Sequence, residues 1–257
     1  MTDIKIAAVI PARMASTRHP GKPLIDIQGL PMIEHVRRRV LLCEGFSDVI
    51  VATCDAEIQK VVETFGGKVV MTSNEHIMAS DRVAEVANVL DCSHVINVQG
   101  DEILVVPDDL NNMLESIRAY PDAQYWNAIA PIKKSEELAD RSIVKCVLST
   151  TGKILYCARD FTHLNLCKEF EPVRKILGIL GYCRESLLAF SHLSRTPLES
   201  SQSIDQSRII EHGIPLSSVP FEKGYPGIND LREEQMVREI LKTDREQMAI
   251  LRKILSY

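Results

Sequence analysis

None of the seven cysteines, at positions 43, 54, 92, 146, 157, 167 and 183, forms a C-x-x-C pair with another. Their odd number, wide spacing and apolar neighbours (Lys145-Cys146-Val147, Tyr156-Cys157-Ala158) argue against a zinc site or a disulfide framework. They read as reduced core thiols. No apolar run approaches the roughly 20 residues that span a bilayer. Met1-Thr2-Asp3-Ile4-Lys5 leads straight into a strand, without the basic segment and cleavage site of a secretory signal. The expectation is a soluble cytoplasmic protein with no membrane partner. Positive charge is not in excess either. The net charge is −5, so no global field gathers nucleic acid, and any grip on an anion is local. Pro23 after Lys22 breaks the G-x-x-x-x-G-K-[ST] pattern, and no G-x-G-x-x-G occurs. Internal repeats and low-complexity segments are missing too.

What is present is a chain of 257 residues, 45% hydrophobic and 25% charged, long enough to bury a core without staples. Ile4 to Ile10 is an apolar run broken only by Lys5, as in a strand covered on both faces. Further strands are predicted at Asp48 to Thr53, Lys68 to Met71 and His94 to Val98. Between them come helices starting with Pro31 at the first position, over Ala56 to Phe65, from a cap at Ser80 or Asp81 to Leu90, and from Pro107. Such alternation predicts right-handed β-α-β units and a mostly parallel sheet. The rhythm changes near Tyr120. A hairpin is expected from Ile143 to Leu148 and Ile154 to Ala158, a strand over Ile176 to Cys183, and one long or two short helices from Asp230 to Leu255. The fold class is therefore α/β, a Rossmann-like core in one domain spanning 1–257, with a smaller inserted α+β lobe at roughly 120–200.

Two stretches carry chemistry. The loop Pro11 to Pro23 follows the first strand, where ligands gather in doubly wound sheets. Arg13, Arg18 and Lys22 supply cationic groups, Ser16 and Thr17 hydroxyls, and small residues allow close backbone approach, which is the composition of a phosphate cradle. The second stretch, Asn97-Val98-Gln99-Gly100-Asp101-Glu102, delivers carboxylates at a strand end. Asp101 suits Mg²⁺, which binds one or two carboxylates together with substrate phosphates. Adjacent strand ends would let both stretches face one triphosphate. Trp126 reads as lobe core. Arg37, Arg38 and Arg39 cannot share one helical face and read as solvated or at a subunit contact. Glu233, Glu234 and Arg238 read as the wet side of the last helix.

Val9-Ile10-Pro11-Ala12-Arg13 through Lys22-Pro23-Leu24, then Gly29-Leu30-Pro31-Met32-Ile33, resembles the opening of the CTP:3-deoxy-manno-octulosonate (Kdo) cytidylyltransferases. The resemblance continues at Val51-Ala52-Thr53, Gly66-Gly67, Met71-Thr72, Asp81-Arg82-Val83-Ala84-Glu85-Val86 and Asn97 to Glu102, with weaker echoes to Arg208. It implies a nucleotidyltransferase core of the nucleotide-diphospho-sugar transferase type and a homodimer formed largely through the lobe. It implies a CTP site of Ala12, Arg13, Ser16, Lys22, Ser80 and Arg82, with Arg13, Lys22 and Asp101 catalytic. Gln99, Arg159, Ile176, Leu180, Asp205 and Gln206 would face the sugar acid. The cofactor would be Mg²⁺ on Asp101 and on Asn229 or Asp230. The reaction would be attack of the sugar's anomeric hydroxyl on the α-phosphorus of CTP with release of pyrophosphate, feeding surface glycan or lipopolysaccharide synthesis.

The departures from that family gather at the sugar end. Ile77-Met78-Ala79-Ser80 replaces Gln-Ser-Gly-Thr, Ile103 replaces a proline, and Ile176 and Leu180 replace a histidine and a tyrosine. Gln202 and Asp205 stand for glutamates, and Asn229 aligns with a metal-binding aspartate unless Asp230 serves. Losing hydroxyl-binding groups changes which sugar fits, so a deoxygenated, aminated or acylated sugar acid is the expected acceptor. Two alternatives stand beside this: transfer to another sugar or a sugar phosphate, and a nucleotide-binding paralogue impaired in catalysis.

Overall fold

The computed structural model describes residues 4–15, 19–164 and 173–257. Strand β1 (Ile6–Ala12) has all seven residues buried, and the chain answers by covering both of its faces. A 3₁₀ turn (Lys22–Leu24) and the two-stranded ribbon β2 (Asp26–Ile27) and β3 (Leu30–Pro31) lead to α1 (Met32–Leu41). Then come β4 (Asp48–Thr53), α2 (Ala56–Thr64), β5 (Lys68–Met71), α3 (Ala79–Val89), β6 (His94–Val98) and α4 (Pro107–Ala119). The second part holds β7 (Tyr125–Pro131), α5 (Glu136–Ala139), β8 (Lys145–Leu148), β9 (Ile154–Ala158), β10 (Val173–Cys183), α6 (Arg184–Phe190), α7 (Pro197–Gln202) and α8 (Asp205–Glu211). It closes with β11 (Ser217–Pro220), α9 (Leu231–Thr243) and α10 (Arg245–Leu255).

The main sheet runs β11-β7-β10-β6-β1-β4-β5. β6, β1, β4 and β5 are mutually parallel, and β10 is antiparallel to both β6 and β7. Alternation along the strands splits the core in two. Ile6, Ala8 and Ile10 pack with α1 and α4 through Ile33, Val36, Leu110 and Met113. Val9, Ile50 and Val95 pack on the other face with α3 and α6 through Val83, Val86, Leu187 and Phe190. The segment 120–200 adds β7 and β10 to this same sheet, while β8 and β9 project as a hairpin from β10. Ile132, Leu138, Phe161 and Val173 form a small cluster beneath that hairpin.

Several expectations are corrected here. Trp126 belongs to the main core and is 1% exposed, edge-on to His94. Pro31 ends β3 and caps α1 rather than opening it, and α3 begins at Ala79 with Met78 as its cap. Of the two forms expected for the C-terminal stretch, the two-helix one is found, α9 and α10, because the Asp244 side chain accepts from the backbone N–H groups of Glu246 and Gln247 and starts a new helix. The three consecutive arginines are buried, not solvated. They point about 100° apart around α1, and although Arg37 and Arg38 share Glu34, each also reaches a backbone carbonyl of its own. Arg37 makes two 2.7 Å bonds to the buried Glu34, Arg38 donates to Ile254 O, and Arg39 donates to Val105 O. Glu233, Glu234 and Arg238 are likewise engaged. Glu234 joins His19 at 2.9 Å to Arg238 at 2.7 Å, and Glu233 Oε2 accepts from Asn229 N. The six described cysteines are all free thiols; Cys167 lies outside the described residues.

Candidate active site

Two cavities open at the carboxyl ends of the parallel strands and meet at Gln99, Asp101 and Asn229. The first, about 290 Å³, lies between the loop after β1 and the start of α3. Ala12, the exposed Arg13, Ala15 and Lys22 line one wall, and Ile77, Met78, Ala79 and Arg82 the other. The loop is tied down by Met14 N donating to Asp55 Oδ2 at 2.8 Å and by Gly21 N donating to Met14 O. Arg82 is braced from below, with Nη1 on Thr72 Oγ1 and Nη2 3.5 Å from Cys54 Sγ. Gly100 lets the two strand ends close up, since a Cβ there would sit 2.7 Å from Pro11 O. Ser16, assigned to the nucleotide, lies outside the described residues, as do Thr17 and Arg18.

Lys22 sits at the junction. Its Nζ donates to Asp101 Oδ2 at 2.8 Å, Ile228 O at 3.0 Å and Asn229 Oδ1 at 3.3 Å. Asn229 and Asp230, the two alternatives for a second metal ligand, are differently engaged. Asn229 presents its amide oxygen beside Asp101, whereas Asp230 caps α9 by accepting from Glu233 N at 2.9 Å. Among the described residues no group of three or more His, Cys, Asp or Glu side chains is placed to hold a metal. A cation here would rely on one carboxylate, neutral oxygens and a ligand.

The second cavity, about 530 Å³, takes in Gln99, Arg159, Ile176, Asp205 and Gln206. Two of the assigned residues do not belong with these. Leu180 is 2% exposed and packed in the core with Val95 and Tyr182, lining neither cavity. The reason is strand geometry: β10 runs away from the strand ends, and four residues carry the chain roughly 13 Å inward from Ile176. Ser80 is fully buried and lines neither cavity. Its hydroxyl crosses to Asp205 Oδ2 at 2.7 Å and so positions a wall of the second cavity instead of a nucleotide. Gln206 is held by its bond to Asn127 Oδ1, also 2.7 Å. Arg159 reaches three backbone carbonyls, those of Gln202, Arg141 and Ser203.

Sequence reading passed over three features of this cavity. First, β10 carries a bulge opposite β7 between Ile176 and Leu180. The bulge turns Gly178 to the site, where its N–H donates to Glu102 Oε1 at 2.6 Å and its carbonyl accepts from Gln99 N. A Cβ on Gly178 would meet Glu102 Oε1 at 2.8 Å. Second, the buried Lys145 donates to the carbonyls of Asp140, Ile143 and Arg159, fastening the hairpin to the cavity wall. Burial lowers its pKa to about 8. Third, Lys175 pairs with Glu137 at the rim. A bulge leaves no mark in a run such as Ile176-Leu177-Gly178-Ile179 except its glycine.

Desolvation, reinforced by the Asp101 charge, raises the Glu102 pKa from 4.5 to about 7. The folded protein thus holds this proton more tightly than the unfolded chain. Ionising Glu102 costs stability progressively from about pH 4.5 to pH 7. Glu102→Gln keeps an acceptor for Gly178 and removes that cost. Its melting temperature should exceed the parent's by a few degrees at pH 8, and the gain should vanish by pH 4.5, as read by thermal melts across that range.

Residues 7–218 match the family model described as cytidylyltransferase. A 3-deoxy-manno-octulosonate cytidylyltransferase from Escherichia coli is 35% identical over 248 residues, covering 95% of this chain and 99% of that one. Its counterpart from Myxococcus xanthus is 42% identical over 219 residues, covering 84% and 88%. Among solved structures, a CMP:2-keto-3-deoxy-manno-octonic acid synthetase complexed with CTP superposes with a TM-score of 0.87 at 34% identity, over 93% of this chain and 99% of that one.

Proposed function

The chain belongs to the 3-deoxy-manno-octulosonate cytidylyltransferase family, and from that premise we propose that it transfers CMP from CTP to the anomeric hydroxyl of a 3-deoxy-2-keto sugar acid. The observation that carries this reading is the junction. A narrow cationic cleft and a larger polar cavity meet where Lys22, Asp101 and Asn229 converge. A triphosphate in the cleft would place its α-phosphorus at that junction, and a sugar in the cavity would present its hydroxyl from the other side. Arg13 and Lys22 balance phosphate charge, and Arg82, braced by Thr72, holds the opposite wall. Gln99, pinned by its backbone bond to Gly178, and Asp205, pinned by Ser80, orient the acceptor. This is catalysis by positioning and charge stabilisation, with no covalent intermediate needed.

The donor set also fits Mg²⁺. Asp101, the Ile228 carbonyl and the Asn229 amide already converge on one cation, the Lys22 ammonium, and all three are hard oxygen donors. Bound there with substrate phosphates, the ion would neutralise charge on the α-phosphate. The same reading takes the protein as cytoplasmic and as a homodimer joined largely through the 120–200 segment; among the described residues no helix is long and apolar enough to cross a membrane.

Ile176 lines the acceptor cavity with apolar surface, which supports an acceptor lacking a hydroxyl or carrying an added group at that point. Turnover with CTP across Kdo, its deoxygenated, aminated and acylated analogues, and sugar 1-phosphates tests this. A modified sugar acid should give the highest kcat/KM. Preference for unmodified Kdo would remove the modified acceptor, and activity confined to sugar phosphates would remove the sugar-acid reading altogether.

A further inference from the structure

Lys22 occupies a place that the proposed chemistry needs for something else. Its three ammonium protons are matched by three oxygens, Asp101 Oδ2, Ile228 O and Asn229 Oδ1, at 2.8, 3.0 and 3.3 Å. The pair is well screened from water, with side-chain exposures of 16% for Lys22 and 20% for Asp101. Those same oxygens are the donor set that fits Mg²⁺. A divalent ion binding this oxygen set would compete with the ammonium for the same three acceptors, and the two like charges, drawn to one carboxylate in a partly buried site, would repel each other. Lys22 also lines the phosphate cleft, so a triphosphate offers it a second set of oxygens within reach of its flexible stem. Asn229 contributes an oxygen but no charge. The cage therefore carries one negative charge, on Asp101, and one ammonium balances it.

Resting on the magnesium reading above, we propose that Lys22 is a placeholder cation. In the nucleotide-free protein it fills the oxygen cage around Asp101, and it leaves for the phosphates when the nucleotide arrives. Metal then enters with the triphosphate and not before it. Free divalent ions are kept out of the empty site, and Asp101 is never left as an uncompensated, partly buried charge while the site waits. An aspartate at position 229 would strengthen the cage for a metal but would also hold the lysine more firmly. The amide keeps Lys22 releasable.

Mn²⁺ binding, followed by loss of the free-ion EPR signal, tests this without turnover. The intact protein should bind Mn²⁺ weakly without nucleotide. Lys22→Met and Lys22→Gln should each bind it about tenfold more tightly or better, the scale of removing one charge-assisted competitor. Adding Asp101→Asn to Lys22→Met should abolish the gain, and circular dichroism should show all variants folded. Nucleotide-free affinity in both lysine variants no higher than in the parent overturns the placeholder. A different failure, no Asp101-dependent Mn²⁺ binding even with saturating CTP, removes the metal reading and the placeholder with it.

Discussion

Asp101→Ala should lower kcat by about a thousandfold, with CTP affinity changed far less. Removing a preorganised charge or metal ligand at the reacting phosphorus costs on that order. The carboxylate is the one ionised oxygen donor in the Lys22, Ile228 and Asn229 cluster. Its loss would leave Lys22 without its shortest partner and any metal without its charged ligand. The fold should persist, because the backbone around the side chain is secured independently, with Ile103 N and Ile228 N both donating to Asp101 O. Steady-state kinetics beside a thermal melt separate the two effects. A melting temperature unchanged within about a degree, with turnover gone, is the expected pattern; near-parental turnover would remove Asp101 from the machinery.

Arg208→Met should be the most destabilising single substitution near the acceptor cavity, costing about 3–5 kcal/mol, as when one member of a buried ion pair is removed. Arg208 Nε donates to Glu199 Oε2 at 2.8 Å and Nη2 to Glu199 Oε1, the guanidinium stacks 4.4 Å from the Phe190 ring centroid, and Glu199 is 0% exposed. Methionine keeps the packing on Phe190 but leaves the buried carboxylate only the Thr196 N–H at 3.2 Å and the more exposed Arg195 at 3.5 Å. For a chain of this length the loss corresponds to roughly 10 °C in melting temperature. Burial, the largest single influence, would raise the Glu199 pKa, but the Arg208 bond, the Thr196 N–H and the charges of Arg208 and Arg195 together outweigh it and hold the value below the usual carboxylate range. Such a group stabilises the fold above its unfolded pKa and loses that contribution as pH falls through the folded value. The gap between parent and variant should therefore narrow below about pH 4. A gap constant across pH would assign the loss to packing.

The parallel half of the sheet was legible because each strand is a short, nearly unbroken apolar run stopped by turn residues. Ile6–Ala12, Asp48–Thr53, Lys68–Met71 and His94–Val98 all stand within two residues of where composition places them. That the loop after β1 and Asp101 line one cleft was legible for a related reason, since both follow strand ends, where ligands gather in such sheets. What failed to show were distances set by tertiary packing. The direction of β10 decides that Ile176 reaches the acceptor cavity while Leu180, four residues on, is core. Three adjacent arginines look solvated on a helical wheel, yet α10 and the loop before α4 fold over two of them and supply carbonyls. Asn229 and Asp230 are neighbours in sequence, and only the start of α9 shows which of them is consumed as a cap. Ser80 was read as a cap or a nucleotide contact, and neither reading could foresee Asp205, 125 residues away.

The central claim is that the junction of the two cavities moves a nucleotidyl group from CTP to a sugar acid. The most direct measurement incubates the protein and Mg²⁺ with a 3-deoxy-2-keto sugar acid and either α-³²P- or γ-³²P-labelled CTP. The account predicts that α-label enters the sugar nucleotide and γ-label is recovered only in pyrophosphate. Transfer of γ-label to the sugar, or α-label that never leaves the nucleotide pool with any acceptor of this class, would contradict it.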